Sequence, residues 1–288
     1  MEAAELLKKV RTIEIKTRGL SDQVFSGEYH SAFKGRGMAF SEVREYVHGD
    51  EIRNIDWNVT ARMNHPFVKV FEEERELTVI ILADVSASGN FGTTQQLKRS
   101  LITELTAVLA FSAIQNNDKI GVVFFSDRVE KFIPPKKGRS HILRIVRELL
   151  NFTPQHKGTD INAALEFLNN ATKKKCICFV ISDFEDLKFE KALRIASKKH
   201  DVAALKVHDR HEESLPDIGL VEMVDNETGA TSWVNTSSKN TRKIFLKNSM
   251  EKSETLRSIL SRCGVDFATI GTDENYVQPL TNLFKRRA

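Results

Sequence analysis

Residues 78–90 read TVIILADVSASGN and change from apolar to polar at a single point. The run from Thr78 to Ala83 has the length and composition of a buried strand. Asp84, Ser86 and Ser88 follow it at alternate positions, and this spacing turns their side chains to one side of an extended segment. The stretch therefore predicts a core strand whose carboxyl end carries three oxygen donors.

Strand-like and helix-like patterns alternate from Leu77 onward. Leucines and valines recur at helical spacing between Leu97 and Leu109. Strand-like runs follow at residues 119–125, 176–181, 202–207 and 265–270. This alternation is typical of a parallel sheet covered by helices. We expect an α/β fold with a doubly wound, mostly parallel sheet and helices on both faces.

Two hairpins are predicted beside this parallel pattern. The first joins the strand at residues 119–125 to Val129–Ile133, and the prolines Pro134 and Pro135 should end its second strand because proline cannot donate to a ladder. The second spans Leu220–Val234, with turn residues at 226–229 and Trp233 as its expected anchor.

The composition is that of a globular protein in a reducing compartment. Of the 288 residues, 41% are apolar and 28% are charged, which excludes a chain that is disordered overall. The three cysteines, Cys176, Cys178 and Cys263, are too few and odd in number for a disulfide framework. No apolar run is long enough for a targeting segment or a membrane span. We expect a cytoplasmic protein without a transmembrane segment.

Charge gives little support to nucleic-acid binding. Forty-three basic residues oppose 39 acidic ones, for a net charge of +4, and the lysine clusters are local. No helix-turn-helix, zinc-finger or RNA-recognition pattern is present. Nucleic acid stays a third possibility, but we do not expect it as a partner.

A composition shift near residue 76 divides the chain. Residues 1–76 are predicted as an N-terminal accessory segment packed on the core, and residues 77–288 as the main domain. Within the first part we expect a helix at Met1–Leu20 and turns at Gly35–Gly37 and at His48–Asp50. A buried face is expected from Trp57, Val59, Phe67, Val68 and Phe71.

Three loops carry oxygen donors at the expected carboxyl edge of the sheet, where ligands bind in α/β folds. Asp84, Ser86 and Ser88 follow the first strand, and Asp183 follows the run at 176–181. Thr159 lies just before a helix, between Gly158 and Asp160. Two carboxylates and three hydroxyls suit a hard divalent cation such as Mg²⁺, with Mn²⁺ or Ca²⁺ as alternatives. The candidate metal ligands are Asp84, Ser86, Ser88, Thr159 and Asp183.

These ligands, in this order, resemble the metal-ion-dependent adhesion site of von Willebrand factor A domains. Four segments, at residues 35–40, 43–46, 49–53 and 55–57, resemble the bacterial family catalogued as domain of unknown function fifty-eight. Together the resemblances imply a von Willebrand factor A-like domain that binds proteins and is not an enzyme. They also imply partnership with a MoxR-type AAA+ ATPase, or with its client, as an adaptor or co-chaperone.

The strongest enzyme alternative is a Mg²⁺-dependent hydrolase or phosphoryl-transfer enzyme with Asp84 as nucleophile. The chain lacks the phosphate-binding loop, the serine-hydrolase elbow and the zinc-protease helix motif. No histidine has an evident nucleophile companion. Asp127 and Asp186 also follow strand ends, but turn formation or helix capping is their expected role.

Overall fold

The computed structural model describes residues 39–72, 77–93, 96–224 and 229–287. The described residues belong to two compact units, a smaller one within residues 34–77 and a larger one from Thr78 onward. The helix predicted at Met1–Leu20 and the turn predicted at Gly35–Gly37 lie outside the described residues.

The smaller unit is built on an antiparallel pair. Strand β1 (Ala39–Glu45) pairs with β2 (Phe67–Glu72), and helix α1 (Trp57–Met63) lies between them in sequence. The predicted turn at His48–Asp50 is present, with Gly49 at a φ of +113°. Arg44 closes it through two hydrogen bonds to the Asp50 carboxylate, at 2.7 and 2.8 Å.

The apolar face predicted for this unit is only partly correct. Val68 is buried, but Trp57 is 67% exposed. Trp57 is the first residue of α1, directly after the Asp56 cap. Its prediction as a buried residue was wrong, because α1 buries none of its seven residues.

The larger unit contains fifteen successive helices and strands among its described residues, apart from one 3₁₀ turn at Ala87–Asn90. They are β3 (Thr78–Asp84), α2 (Lys98–Gln115), β4 (Lys119–Phe125), β5 (Val129–Lys136), α3 (Arg139–Asn151), α4 (Ile161–Ala171), β6 (Ile177–Ser182), α5 (Glu190–Lys199), β7 (Asp201–His208), α6 (Arg210–Glu213), β8 (Leu220–Val224), β9 (Thr231–Asn235), α7 (Lys239–Arg262), β10 (Asp266–Gly271) and α8 (Val277–Arg287).

Six of these strands form one sheet in the order β10-β7-β6-β3-β4-β5. All neighbours are parallel except β4 and β5. Strand β6 is buried along its whole length, and β3 from Val79 to Asp84, as expected for central strands covered on both faces. The predicted α/β fold with a doubly wound, mostly parallel sheet is confirmed.

Strand β5 departs from the prediction that its prolines end it. The strand continues through Pro134 and Pro135 to Lys136, which pairs with Ile120. It can do so because β5 is an edge strand with β4 as its neighbour, so a residue without an N–H leaves no ladder bond broken on its outer side. The pairing register shifts between Ile120 and Val122, which absorbs the prolines as an irregularity.

The second hairpin forms as predicted between β8 and β9; of its predicted turn residues, 226–228 lie outside the described residues and Gly229 has a φ of +74°. Trp233 does not anchor it, because this side chain is 66% exposed. It lies opposite Glu222 on the outward face, while the half-buried pair Val221 and Val234 lies on the other face. The prediction of Trp233 as the anchor was wrong, because residues on one strand alternate between faces and Trp233 lies on the exposed one.

The order of strands reverses between β3 and β6. The chain runs from β3 outward to β4 and β5, then crosses back to place β6 on the other side of β3. Such a reversal leaves a crevice outside the carboxyl ends of the two central strands, where ligands bind in open α/β sheets. In this protein the crevice lies beside Asp84, the last residue of β3, and Ser182, the last residue of β6.

Gly121 on β4 lets β5 approach closely. A Cβ atom added there would lie 2.9 Å from the backbone nitrogen of Pro135 and 3.0 Å from the carbonyl oxygen of Ile133. We expect Gly121→Ala to lower the free energy of unfolding by roughly 1–3 kcal/mol, as overpacking does. Urea unfolding measures this change.

Gly158→Ala is the matched control, because its added Cβ would meet only the Asp127 Cβ at 3.6 Å, an ordinary contact. Equal stability of the two variants would contradict the close approach of β5 to Gly121.

Candidate functional site

The two predicted carboxylates lie on neighbouring strands. β3 and β6 pair in parallel with Ala83 opposite Ile181, so Asp84 lies at the end of one strand and Asp183 one residue beyond the end of the other. Both side chains are almost fully buried. The sheet therefore brings together residues that are 99 positions apart in the sequence.

Both oxygens of Asp84 are held by hydrogen bonds. Its Oδ1 accepts from the backbone N–H of Ser86 at 2.9 Å, and its Oδ2 accepts from the Ser182 hydroxyl at 2.6 Å. Ser182 Oγ also accepts from the backbone N–H of Phe184 at 3.1 Å. Asp84 is thus fixed in one orientation. Ser182 was not predicted as a site residue, although its position at a strand end beside Asp183 was a usable signal.

The hydroxyls of the first loop lie together. Ser86 Oγ and Ser88 Oγ are 2.9 Å apart, because residues 87–90 form a 3₁₀ turn that folds Ser88 back. The predicted extended exit segment is therefore a turn. Its effect is the same, since the side chains still lie side by side.

The loop that contains Thr159 is joined by backbone hydrogen bonds to the loop after β3 and to the connection between β4 and β5. Ala87 donates its N–H to the Lys157 carbonyl oxygen at 3.0 Å, and Asp160 donates to Ser126 at 2.8 Å. The Asp160 side chain caps α4 by accepting from the Ala163 N–H. Thr159 thus lies between two anchored residues of its own loop, Lys157 and Asp160.

The electrostatics of Asp84 reflect its burial and the neighbouring carboxylate of Asp183. Burial, and secondly the negative charge of Asp183, raise the pKa of Asp84 to about 7. Hydrogen bonds from Ser182 and Ser86 oppose this shift but do not cancel it. An arrangement of this kind favours a positive charge between or beside the two groups.

Lys98 supplies one positive charge. Its side chain is 1% exposed, and its ammonium lies 2.8 Å from Asp183 Oδ2 and 2.6 Å from Glu212 Oε1. Burial alone would lower the pKa of Lys98, but the charges of Asp183 and Glu212 raise it. Neither Lys98 nor Glu212 was predicted. Glu212, on α6, carries no local pattern that separates it from a surface residue.

Asp209 holds the loop between the site and α2. This carboxylate is fully buried and accepts from Thr93 N at 2.9 Å, Thr93 Oγ1 at 2.6 Å and Thr272 Oγ1 at 2.8 Å. It also caps α6 through the His211 N–H. Despite burial, these hydrogen bonds, led by that from the Thr93 hydroxyl, lower the pKa of Asp209 to about 2. The ionised carboxylate ties Thr93 to the end of β7.

The donor set fits a hard divalent cation. Asp84, Asp183, Ser86 and Ser88 offer carboxylate and hydroxyl oxygens, the ligands that Mg²⁺ prefers, and Thr159 lies in the adjoining loop. Within the described ranges, no three His, Cys, Asp or Glu side chains come together as a metal cluster. A metal here would therefore depend on two carboxylates and neighbouring hydroxyls.

The other residues weighed in the sequence have local roles. Asp127 lies near Arg128 and His156 on the surface, and Asp186 accepts from the Lys188 N–H in its own loop. Cys176, Cys178 and Cys263 are free and buried. Burial raises the pKa of Cys176 to about 12.

The sequence profile of the family described as "Protein of unknown function DUF58" matches residues 42–255. An uncharacterised protein of Mycobacterium tuberculosis strain H37Rv is 26% identical over 286 residues, which are 98% of this chain and 90% of that protein.

Among solved structures, an aerotolerance-related membrane protein from Bacteroides fragilis aligns with a TM-score of 0.52 and 16% identity over 73% of this chain and 99% of that one. This likeness concerns the fold alone. In the part of this chain whose structure is described, no helix is both long and apolar enough to cross a membrane.

The raised pKa of Asp84 makes stability depend on pH. An unfolded aspartate has a pKa near 3.9, so between about pH 4 and the folded value of about 7 the folded protein holds a proton that the unfolded chain has released. Ionisation of Asp84 therefore lowers the free energy of unfolding as pH rises through this window. The full destabilisation is present above pH 7. Asp84→Asn removes this dependence.

With a chelator present, we expect Asp84→Asn at pH 8 to be more stable than the wild type by roughly 1–4 kcal/mol, since one pKa unit equals about 1.4 kcal/mol. At pH 4 the difference should vanish. Urea unfolding at several pH values measures it, with Asp127→Asn as control. If the stability of Asp84→Asn depends on pH as strongly as that of the wild type, the raised pKa of Asp84 is contradicted.

Proposed function

Because this chain belongs to the DUF58 family of proteins of unknown function, we propose its role from its own site: it is a divalent-metal-dependent protein-binding module. Its α/β fold is von Willebrand factor A-like, and this fold with oxygen donors at the sheet's carboxyl edge suggests a metal-dependent interaction module. In this proposal Asp84, Ser86, Ser88, Thr159 and Asp183 hold Mg²⁺ or a related cation. A carboxylate of the partner completes the coordination.

One observation carries the proposal. Two buried carboxylates, Asp84 and Asp183, meet at the switch point of the sheet, beside two hydroxyls whose oxygens are 2.9 Å apart. A divalent ion bound there would offset the burial and the repulsion by Asp183 that together raise the pKa of Asp84. Mg²⁺ commonly keeps open or water-filled positions, which a partner's side chain can take.

A groove beside the site supports a protein partner. It has a volume of about 540 Å³, and Ser88 is one of its lining residues. Phe91, Met223 and Phe245 contribute apolar surface, and its charged residues include Lys252, which pairs with Glu185 at 2.7 Å. Apolar surface with internally paired charge suits a segment of another protein that follows the metal-bound carboxylate.

We further propose a MoxR-type AAA+ ATPase, or its client, as the partner, with this protein as an adaptor or co-chaperone. This part rests on the resemblance of residues 35–57 and of the metal site to the family. ATP hydrolysis would belong to the partner. Both oxygens of Asp84 accept hydrogen bonds from this chain, which suits a fixed metal ligand better than a nucleophile. Three free cysteines favour action in the reducing cytoplasm.

Removal of Asp84 tests the metal site. We expect chelator-treated wild-type protein to bind Mg²⁺ or Mn²⁺ saturably in calorimetric titration, and Asp84→Ala to lose at least tenfold in affinity, because a primary ligand is gone. Asp127→Ala, which removes a carboxylate from a neighbouring loop, should bind like the wild type. Absence of saturable binding to the wild type would contradict the proposed site.

The partner is tested separately. We expect purified MoxR-type ATPase to be retained by immobilised wild-type protein with Mg²⁺, and to be released by a chelator and by Asp84→Ala. Metal binding without retention of the ATPase would remove this partner from the proposal and leave the metal-dependent module. Retention that survives both treatments would contradict metal-dependent docking.

A further inference from the structure

Lys98 is an unusual residue for its position. It is the first residue of α2, an 18-residue helix, and its side chain is among the largest that are fully buried in the described structure. The amino-terminal end of a helix is its positive end, which disfavours a cation. Burial of an ammonium disfavours it further. Such a lysine is tolerated only where carboxylates compensate both effects.

The compensating carboxylates come from two different parts of the fold. Asp183 follows β6 and lies 2.8 Å from Nζ, and Glu212 lies on α6 at 2.6 Å. The Phe91 ring covers the ammonium, with its centroid 6.0 Å from Nζ. Lys98 therefore shares Asp183 with any cation bound beside Asp84.

The charges of this cluster do not balance by themselves. Asp84, Asp183 and Glu212 carry three negative charges when ionised, and Lys98 carries one positive charge. Two negative charges are left, which equals the charge of one divalent cation. Lys98 and one divalent ion together would neutralise the three carboxylates. Both cations, however, compete for contact with Asp183.

We propose that Lys98 is a tethered counter-cation of the metal site, which neutralises Asp183 when no metal is bound and weakens the affinity of the site for divalent ions. The inference rests on the proposed metal site and adds how its affinity is set. Reversible docking follows from it, because a weakly held metal binds tightly only when the partner's carboxylate contributes.

Glu212 lets Lys98 stay inside the protein when a metal takes Asp183. Its Oε1 contacts Nζ, and its Oε2 accepts from the Asp209 N–H at 3.1 Å as part of the capping box of α6. Glu212 is thus fixed independently of Lys98. The ammonium can give up Asp183 and keep this second partner without entering solvent.

Two substitutions should change metal affinity in opposite directions. Lys98→Met removes the competing cation, so we expect divalent ions to bind at least about tenfold more tightly, since a unit charge a few ångströms away has a large effect on a buried ion. Glu212→Gln leaves Lys98 with Asp183 as its ionic partner, so we expect binding several-fold weaker than in the wild type.

The experiment is calorimetric titration of Mn²⁺ and Mg²⁺ into the chelator-treated full chain, in the wild type and both variants. Lys131→Met is the matched control, because it breaks a 2.6 Å pair with Glu148 between β5 and α3, and it should bind like the wild type. Thermal unfolding with and without Mn²⁺ accompanies each titration. Lys98→Met should melt lower without metal and gain more from Mn²⁺ than the wild type does.

The outcomes separate this inference from the proposed function. Wild-type binding with no tightening in folded Lys98→Met, or tighter binding in Glu212→Gln, would overturn the role of Lys98 and leave the metal site intact. Binding seen only in Lys98→Met would support it. No binding in any variant would overturn the metal site and this inference together. If Lys98→Met fails to fold, weaker binding in Glu212→Gln supports the inference and unchanged binding overturns it.

Discussion

The burial of Asp84 beside a second carboxylate, Asp183, is the constraint on which the rest of the site depends. The two carboxylates are placed side by side because β3 and β6 are hydrogen-bonded parallel neighbours that end at the same level. Burial removes the water that would otherwise screen them. Ser182 and Ser86 hold Asp84, and Lys98 neutralises Asp183. Each of these contacts offsets part of the free-energy cost of burying two carboxylates side by side.

The loops around this pair are anchored from outside it. Asp209, at the end of β7, takes hydrogen bonds from Thr93 and Thr272, and Ala87 is joined to Lys157 across the loops. These anchors lie on different strands and loops of the same sheet edge. The carboxyl edge is therefore preorganised, which lowers the entropy lost when an ion or a partner binds.

The β8–β9 hairpin and α7 add a surface beyond the sheet. Only the last turns of α7 are buried, at Leu256, Ile259 and Leu260. Phe245 on the earlier part of this helix and Met223 on β8 line the same groove as Ser88. The groove thus adjoins the candidate metal site and is lined in part by elements outside the central sheet.

The sequence by itself determined the architecture and the candidate ligands of the site. Periodicity alone predicts the alternating strands and helices, because a strand buried on both faces must be apolar throughout and an amphipathic helix must repeat every 3.6 residues. Asp84, Ser86, Ser88, Thr159 and Asp183 could be selected because they follow or precede such elements at the edge where ligands bind. Because the ends of strands can be predicted from the sequence, the residues at those ends can be predicted as well.

Only the tertiary structure decided which distant charges meet those ligands. Lys98 and Glu212 are 114 positions apart and become partners through the loops that enter α2 and α6. Likewise, β5 continues through its prolines because it lies at the edge of the sheet. Trp233 is exposed because it lies on the solvent-facing side of β9. A local sequence pattern predicts which residues are buried and whether they form a helix or a strand. It does not predict which buried charges pair, because that depends on the course of the loops between distant elements.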